Sequence, residues 1–302
     1  MVCEGSRFPD AMNPFRLDFI GIGAAKAATT WIARCLAEHP AICVSDPKEL
    51  NFFGRRHVWP PSGSRYYRGR DWLAAHFRRC RPGQVKGEYG VSYLIDSESP
   101  SIIKREMPDA RLIVSLRNPP DALHSLYFHL RKQYVVPDTF EGLLDRYPDF
   151  VAYGDYHRHL SRFFSEFARQ RVHVVLFDDV QREPASVMRG LFGYLGVDPS
   201  FQPPSLHVRT NELGEPRILW LRDAVGGARD FLRTAPGVTP VRETLRAAGV
   251  ERLANWVERR NWRPMVQRPP MKEETRAYLR KRYAEGNRAL GDLLGRDLSH
   301  WD

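Results

Sequence analysis

Two short apolar runs constrain this chain more than any other feature. LDFIGIG (Leu17–Gly23) and RLIVSL (Arg111–Leu116) each stop at a turn that carries a basic residue, Lys26 or Arg117. Each turn then opens a helix-like pattern. Continuous apolar runs of this length suit strands buried on both faces, the habit of parallel sheets. In open parallel sheets, ligands sit beyond the carboxyl ends of the strands. A basic residue and a helix start at that position favour an anion.

The remaining pattern supports the same architecture. Thr29 to Glu38 reads as a helix with an apolar stripe of Trp31, Cys35 and Leu36. AICV (Ala41–Val44) reads as a short strand, DPKELNFFGRRH as a loop or short helix, and YYRGRDWLAAHFRRC as an amphipathic helix. VKGEYGVSYL (Val85–Leu94) opens as a strand and continues as a loop. PPDALHSLYFHLRKQ is a helix with proline at its start. The helix DYHRHLSRFFSEFARQ leads into the strand VHVVLF (Val172–Phe177), and the helix EPASVMRGLFGYLGV ends at Gly196. KEETRAYLRKRYAEGNRALGDLLG is a long C-terminal helix. Strands alternating with helices predict an α/β fold with a central parallel sheet flanked by helices. We expect one domain over residues 1–302. Its cofactor-binding core covers about 15–200, and an acceptor-side, C-terminal helical region covers about 200–302.

Composition narrows the partners. Lys and Arg number 46 against 36 Asp and Glu, a net charge of +10. That favours anionic partners, but the basic residues are scattered, which argues against nucleic acid. The cysteines Cys3, Cys35, Cys43 and Cys80 form no CxxC pair, and no histidine cluster has metal spacing. Neither zinc nor a disulfide framework is expected, and the balance points to a reducing, cytoplasmic location. No apolar run approaches the roughly 18 residues of a membrane span.

The first turn, GAAKAATT, offers small residues whose amides can curl around an oxyanion, a lysine, and two hydroxyls. It is not GxxxxGK(S/T): Ala25 precedes Lys26 and Ala27 follows it. KAATTWI instead resembles the 5′-phosphosulfate loop of the sulfotransferases that use 3′-phosphoadenosine 5′-phosphosulfate (PAPS), commonly K-(S/G/A)-G-T-T-x-(L/I/V). Ala28 stands where that family usually has glycine, a change tolerable if φ there is negative. The second turn, RNPPDALHS, resembles the family's 3′-phosphate motif through Arg117, Asn118, Pro119, Asp121 and Ser125. An arginine fork and a serine hydroxyl suit a phosphate.

Two further segments resemble the heparan-sulfate-type and bacterial branch. KELNFF matches K-E-x-x-(F/Y)-F, whose glutamate is the base toward the acceptor; here it is Glu49, beside Lys48 and before Phe52 and Phe53. His57, His76 and His124 are rival bases outside any motif. KGEYGVSYL is similar to the acceptor-side segment GExTPxYL, which nominates Glu88 and Ser92, with Tyr93 packing beneath. Trp31 stands where the cytosolic branch stacks an aromatic on adenine. YAEGNRALGDLLGRDLSHW looks like the terminal N-x-x-L…W segment.

The resemblance implies a P-loop-NTPase-like three-layer fold. It also implies sulfuryl transfer from PAPS to a hydroxyl, with an amine as second choice, releasing PAP without a metal. The acceptor would be a carbohydrate or a small molecule such as a secondary metabolite. The transfer would be in line, carried by position and charge. The implied cofactor contacts are Ala24, Ala25, Lys26, Ala27, Ala28, Thr29, Thr30, Trp31, Arg117 and Ser125. Catalysis would fall to Lys26 and Glu49, and acceptor binding to Lys48, Phe52, Phe53, Glu88 and Ser92. A kinase with a degenerate P-loop and a non-catalytic binder of anions or sulfated glycans are the alternatives.

Overall fold

The structure, a computed structural model, describes residues 15–54, 65–134, 136–208, 214–216, 260, 262–264 and 269–302. It divides into two compact units, residues 1–117 with 158–208, and residues 118–157 with 209–302.

The first unit holds five parallel strands: β1 (Phe19–Gly23), β2 (Ile42–Val44), β3 (Val85–Tyr89), β4 (Arg111–Leu116) and β5 (Val172–Leu176). Their order is β2-β3-β1-β4-β5. The chain leaves β1 toward one edge and later crosses to the other side of β1 at β4. A phosphate-binding turn belongs at such a reversal of strand order. Helix α1 (Thr29–Glu38) follows β1, and α2 (Gly69–Ala75) and α3 (Ser99–Glu106) lie before β4. The expected helix over YYRGRDWLAAHFRRC is shorter than its pattern. A 3-10 turn covers Tyr66–Arg68, and Gly69, at φ 76, separates its geometry from that of the α-helical turns that follow.

Helix α4 (Pro119–Gln133) and helix α5 (Phe140–Arg146) belong to the second unit, and α6 (Tyr156–Glu166) spans the boundary in sequence. After β5 come α7 (Phe177–Arg182) and α8 (Pro184–Leu195). Helix α8 stops at Gly196, whose φ of 78 suits a residue without Cβ. One apolar cluster joins Trp31, Ile32, Cys35 and Leu36 of α1 with Met188, Leu191, Phe192 and Leu195 of α8, against Phe19, Tyr89, Ile113 and Val175 of the sheet. The Cys35 thiol lies in it, and burial, with Glu38 adding to the effect, pushes its pKa up to about 12.

The second unit carries a two-stranded antiparallel pair, β6 (Gly214–Pro216) with β7 (Trp262–Pro264), and the long helix α9 (Glu273–Leu294). Asn287, Leu290 and Trp301, the terminal motif residues, are all buried. Tyr283 of α9 donates its hydroxyl to the Val151 carbonyl.

The expectation about cysteines is corrected. Cys43 of β2 and Cys80 form a disulfide across Cα atoms 5.7 Å apart. The partners lie 37 residues apart in sequence, so no local pattern announces them. They meet because the turns after α2 fold back along β2: Arg79 donates to the Val44 carbonyl at 2.9 Å and Gln84 to the Pro40 carbonyl at 2.8 Å. Such bonds persist in oxidising compartments, which removes the cysteine argument for the cytoplasm. Among the described residues no helix is long and apolar enough to cross a membrane.

Strands β1 and β3 interlock ring over glycine. Phe19 pairs with Gly87 and Gly21 with Tyr89. A Cβ on Gly87 would come within 2.3 Å of the Phe19 ring, and one on Gly21 within 2.3 Å of the Tyr89 ring. Gly87→Ala is therefore expected to cost about 1–3 kcal/mol by overpacking. Adding Phe19→Leu should return part of that loss. Denaturant unfolding of the two variants checks this; a neutral Gly87→Ala contradicts the interlock.

Candidate active site

The turn after β1 runs from Ala24 to Ala28 and is held from β4. The Ala24 N–H donates to the Ser115 carbonyl at 2.7 Å, and the Ser115 hydroxyl donates to the Ala27 carbonyl. Ser115 is fully buried. A serine inside RLIVSL was the one signal for this anchor, and motif reasoning passed over it.

Lys26 and Ala28 both adopt φ 64. The negative φ under which a methyl at position 28 is readily tolerated is thus not the one adopted. Left-handed residues in a tight turn tip successive amides toward one side, the geometry that cups anions. Helix α1 starts at Thr29 with no side-chain cap on its N-terminus. Its first N–H groups have no intrahelical acceptor, and the Ile32 N–H closes the first helical bond on the Ala28 carbonyl at 3.0 Å. Thr29 is buried and Thr30 exposed. Trp31, expected beside a nucleotide base, is turned into the core, and its indole donates to the Leu206 carbonyl at 3.1 Å.

Arg117 follows β4, the strand paired with β1. Its Nη1 donates to the Lys26 carbonyl at 3.3 Å, and its guanidinium lies 4.5 Å from the Phe177 ring centroid. The two basic turns predicted from sequence are therefore in contact. Ser125, the serine of the second motif, is buried on α4 in the second unit. Asp121 on the same helix pairs with Arg276 at 3.0 Å.

The loop after β2 carries Lys48 and Glu49, whose Nζ and Oε1 lie 2.5 Å apart. Both side chains are partly exposed, at 22% and 40%, so the pair can meet a ligand. Glu49 has φ 66 and Asn51 φ 52. Among the described residues, the four non-glycine residues with positive φ are Lys26, Ala28, Glu49 and Asn51. All four lie in the two predicted loops. Such conformations cost energy and persist where surroundings over-determine them. Here the Glu49 N–H donates to the Tyr89 carbonyl at 3.2 Å, and Ser92 donates to Asn51 Oδ1 at 3.0 Å.

Phe52, Phe53 and Glu88 were expected at the acceptor, but all three are buried. Phe52 stacks on Trp72 at 6.2 Å, and Phe53 meets Tyr93 edge-on at 5.8 Å. Burial pushes Glu88 up to about 7, and the nearby Glu49 adds to it. Hydrogen bonds from Tyr93 and the Leu50 backbone, and the charge of Arg65, act the other way. Burial likewise holds the Tyr93 hydroxyl well above its ordinary value, with Glu88 adding to the effect. Of the rival histidines, His76 packs on Trp72 at 4.5 Å, and His124 packs against Phe128 and Phe140 in the second unit. His57 lies outside the described residues. Among the described residues no group of three or more His, Cys, Asp or Glu is placed to hold a metal ion.

The left-handed Ala28 makes a direct test. Ala28→Gly removes a cost of about 1–2 kcal/mol for an L-residue at positive φ and adds back roughly 0.4–1 kcal/mol of chain entropy. A net gain of about 0.5–1 kcal/mol is expected from thermal or denaturant unfolding. An unchanged or lower stability contradicts the strained turn.

Known proteins bear on this site. The family described as "Sulfotransferase domain" matches residues 17–213. Bifunctional heparan sulfate N-deacetylase/N-sulfotransferase 4 of Mus musculus is 22% identical over 312 residues, covering 94% of this chain and 31% of its own length. Heparan sulfate glucosamine 3-O-sulfotransferase 3B1 of Mus musculus is 26% identical, covering 63% of this chain and 51% of its own length. The chain thus spans about a third to about half of the length of these relatives. A solved sulfotransferase from Alicyclobacillus acidocaldarius shares the fold, with a TM-score of 0.66 at 24% identity, covering 95% of this chain and 99% of that one. With the family's span beginning just before β1 and running through both basic turns and all five strands, the chain belongs to the sulfotransferase domain family.

Proposed function

We propose that this chain transfers a sulfuryl group from PAPS to a hydroxyl of a carbohydrate or small-molecule acceptor, with an amine as second choice. The observation that carries the proposal is the bond from Arg117 to the Lys26 carbonyl. It makes one basic surface of two turns whose motifs suit the two phosphate-bearing ends of a single nucleotide. The uncapped start of α1 and the left-handed Lys26 and Ala28 fit a phosphate held by backbone amides. The heparan sulfate names of the relatives support a sugar acceptor.

The donor brings the sulfuryl group and a phosphate that leaves with negative charge. Each residue then has a task that needs no covalent step. Amides of Ala25–Ala28, with Thr29 and Thr30, hold the 5′-phosphate, the Ala24 N–H being engaged by the Ser115 carbonyl. Lys26 offsets the charge that grows on it, a contribution made in the transition state more than in the ground state. Arg117 takes the 3′-phosphate, and Ser125 is assigned to it on the motif alone. Glu49 receives the acceptor proton; with Lys48 on Oε1, Oε2 is the oxygen we assign to it. Lys48 and Ser92 border the acceptor side. Phe52, Phe53 and Glu88 act from beneath it, as buried supports.

The test is PAP release from PAPS, with de-N-sulfated heparin or water alone as acceptor, together with thermal shift by PAP. Lys26→Ala is expected to lower kcat by about 100- to 1000-fold. Arg117→Ala should mainly raise the KM for PAPS and shrink the PAP shift. PAP at about a thousand times its Kd should stabilise the protein by about 4 kcal/mol. No shift with PAP, or a larger one with ATP and Mg²⁺, would overturn the reading in favour of a kinase.

A further inference from the structure

Beneath the Lys48–Glu49 pair lies a buried polar hub. Glu88, at 0% exposure on β3, accepts the Tyr93 hydroxyl at 2.6 Å on Oε1. The same hydroxyl accepts the Phe52 N–H at 2.8 Å and the Phe53 N–H at 3.4 Å. One donor and two acceptor sites are all that a phenol has, so this hydroxyl is saturated. A side chain that only filled space here would have no need of it. A carboxyl oxygen accepting the hydroxyl proton also makes the phenol oxygen a better acceptor for the two amides.

Those amides belong to the strained loop. Phe52 follows Asn51, and Glu49 lies three residues before Phe52. With Glu49 and Asn51 at positive φ, the backbone between β2 and Phe53 keeps its course only where both ends are fixed. One end is held by the Glu49 N–H on the Tyr89 carbonyl. The other is held at Phe52 and Phe53 by Tyr93.

We propose that Tyr93, oriented by Glu88, is a positioning residue for Glu49, setting the direction of its carboxylate by clamping the Phe52 and Phe53 amides. This rests on the assignment of Glu49 as the base. Neither Tyr93 nor Glu88 touches the acceptor in this role. The Glu88 carboxylate takes the Tyr93 hydroxyl on Oε1, and its Oε2 is buried with no hydrogen-bond partner among the described residues.

The test is a double-mutant cycle of Tyr93→Phe and Glu49→Gln, read as PAP release from PAPS with de-N-sulfated heparin or water as acceptor. Tyr93→Phe is expected to lower kcat about tenfold or more while leaving the KM for PAPS and the PAP thermal shift unchanged. In the Glu49→Gln background the same change should have less than about a twofold effect. Equal losses in both backgrounds, or wild-type kcat in Tyr93→Phe, overturn the proposal. Wild-type kcat in Glu49→Gln removes the base assignment and the proposal with it. Absence of a PAP shift in the wild-type protein strikes the donor reading instead. Should Tyr93→Phe not fold, Glu88→Met keeps the length, removes the acceptor of the Tyr93 hydroxyl, and is expected to give the same pattern.

Discussion

Ser115 ties the turn after β1, the proposed phosphate site, to the sheet. Its carbonyl takes the Ala24 N–H, and its hydroxyl caps the Ala27 carbonyl. Both bonds leave β4, which is buried along nearly its whole length and paired on both sides. A turn with two left-handed residues would otherwise relax, because each such residue costs energy that no local contact returns. Anchored on a central strand, the turn keeps its amides gathered before any ligand arrives. Preorganisation of this kind is the chief way a protein can speed a transfer that needs charge stabilisation more than bond making.

The turn also depends on how β1 is seated. Ring-over-glycine contacts lock β1 against β3, so the carboxyl end of β1 cannot slide relative to its neighbours. Arg117 is placed by the same logic from the other side. The β1–β4 pairing brings the end of β4 to the Lys26 carbonyl, and the Phe177 ring backs the guanidinium. Two basic residues about ninety positions apart in the chain thus share one surface through strand pairing alone.

Much of this was legible in the sequence, and the rest failed for identifiable reasons. RLIVSL and PPDALHSLYFHLRKQ matched β4 and α4 because a continuous apolar run and a helix-starting proline are local signals. The helices α3, α5 and α7 were missed, each being eight residues or fewer and too short to show a period. The positive φ at Ala28 was not legible, since an alanine side chain announces nothing about a conformation enforced from β4. Glu88 was placed at the acceptor side through the resemblance of KGEYGVSYL to GExTPxYL, and a motif says nothing of how deep a carboxylate lies. Its burial depends on Tyr93 and on loop amides that no spacing rule connects. The Cys43–Cys80 bond was missed because the two meet only through the packing of residues 76–84 along β2.

The two halves of the candidate site are built by different means, and this bears on what each can tolerate. The donor turn hangs on backbone pairing of β1 and β4 and on a buried serine, which any change would disturb throughout the sheet. The loop bearing Glu49 hangs on side chains: Tyr93 and Glu88 from within, and the disulfide with the Arg79–Asp46 pair from the edge. A disulfide closing about 37 residues contributes roughly 3–4 kcal/mol by restricting the unfolded chain, and it does so without occupying the site. The Lys48–Glu49 pair can therefore stay fixed while the exposed residues around it change. A proposed donor turn anchored in the sheet, beside a proposed acceptor edge braced by side chains, would let one fold keep its chemistry and vary its acceptor.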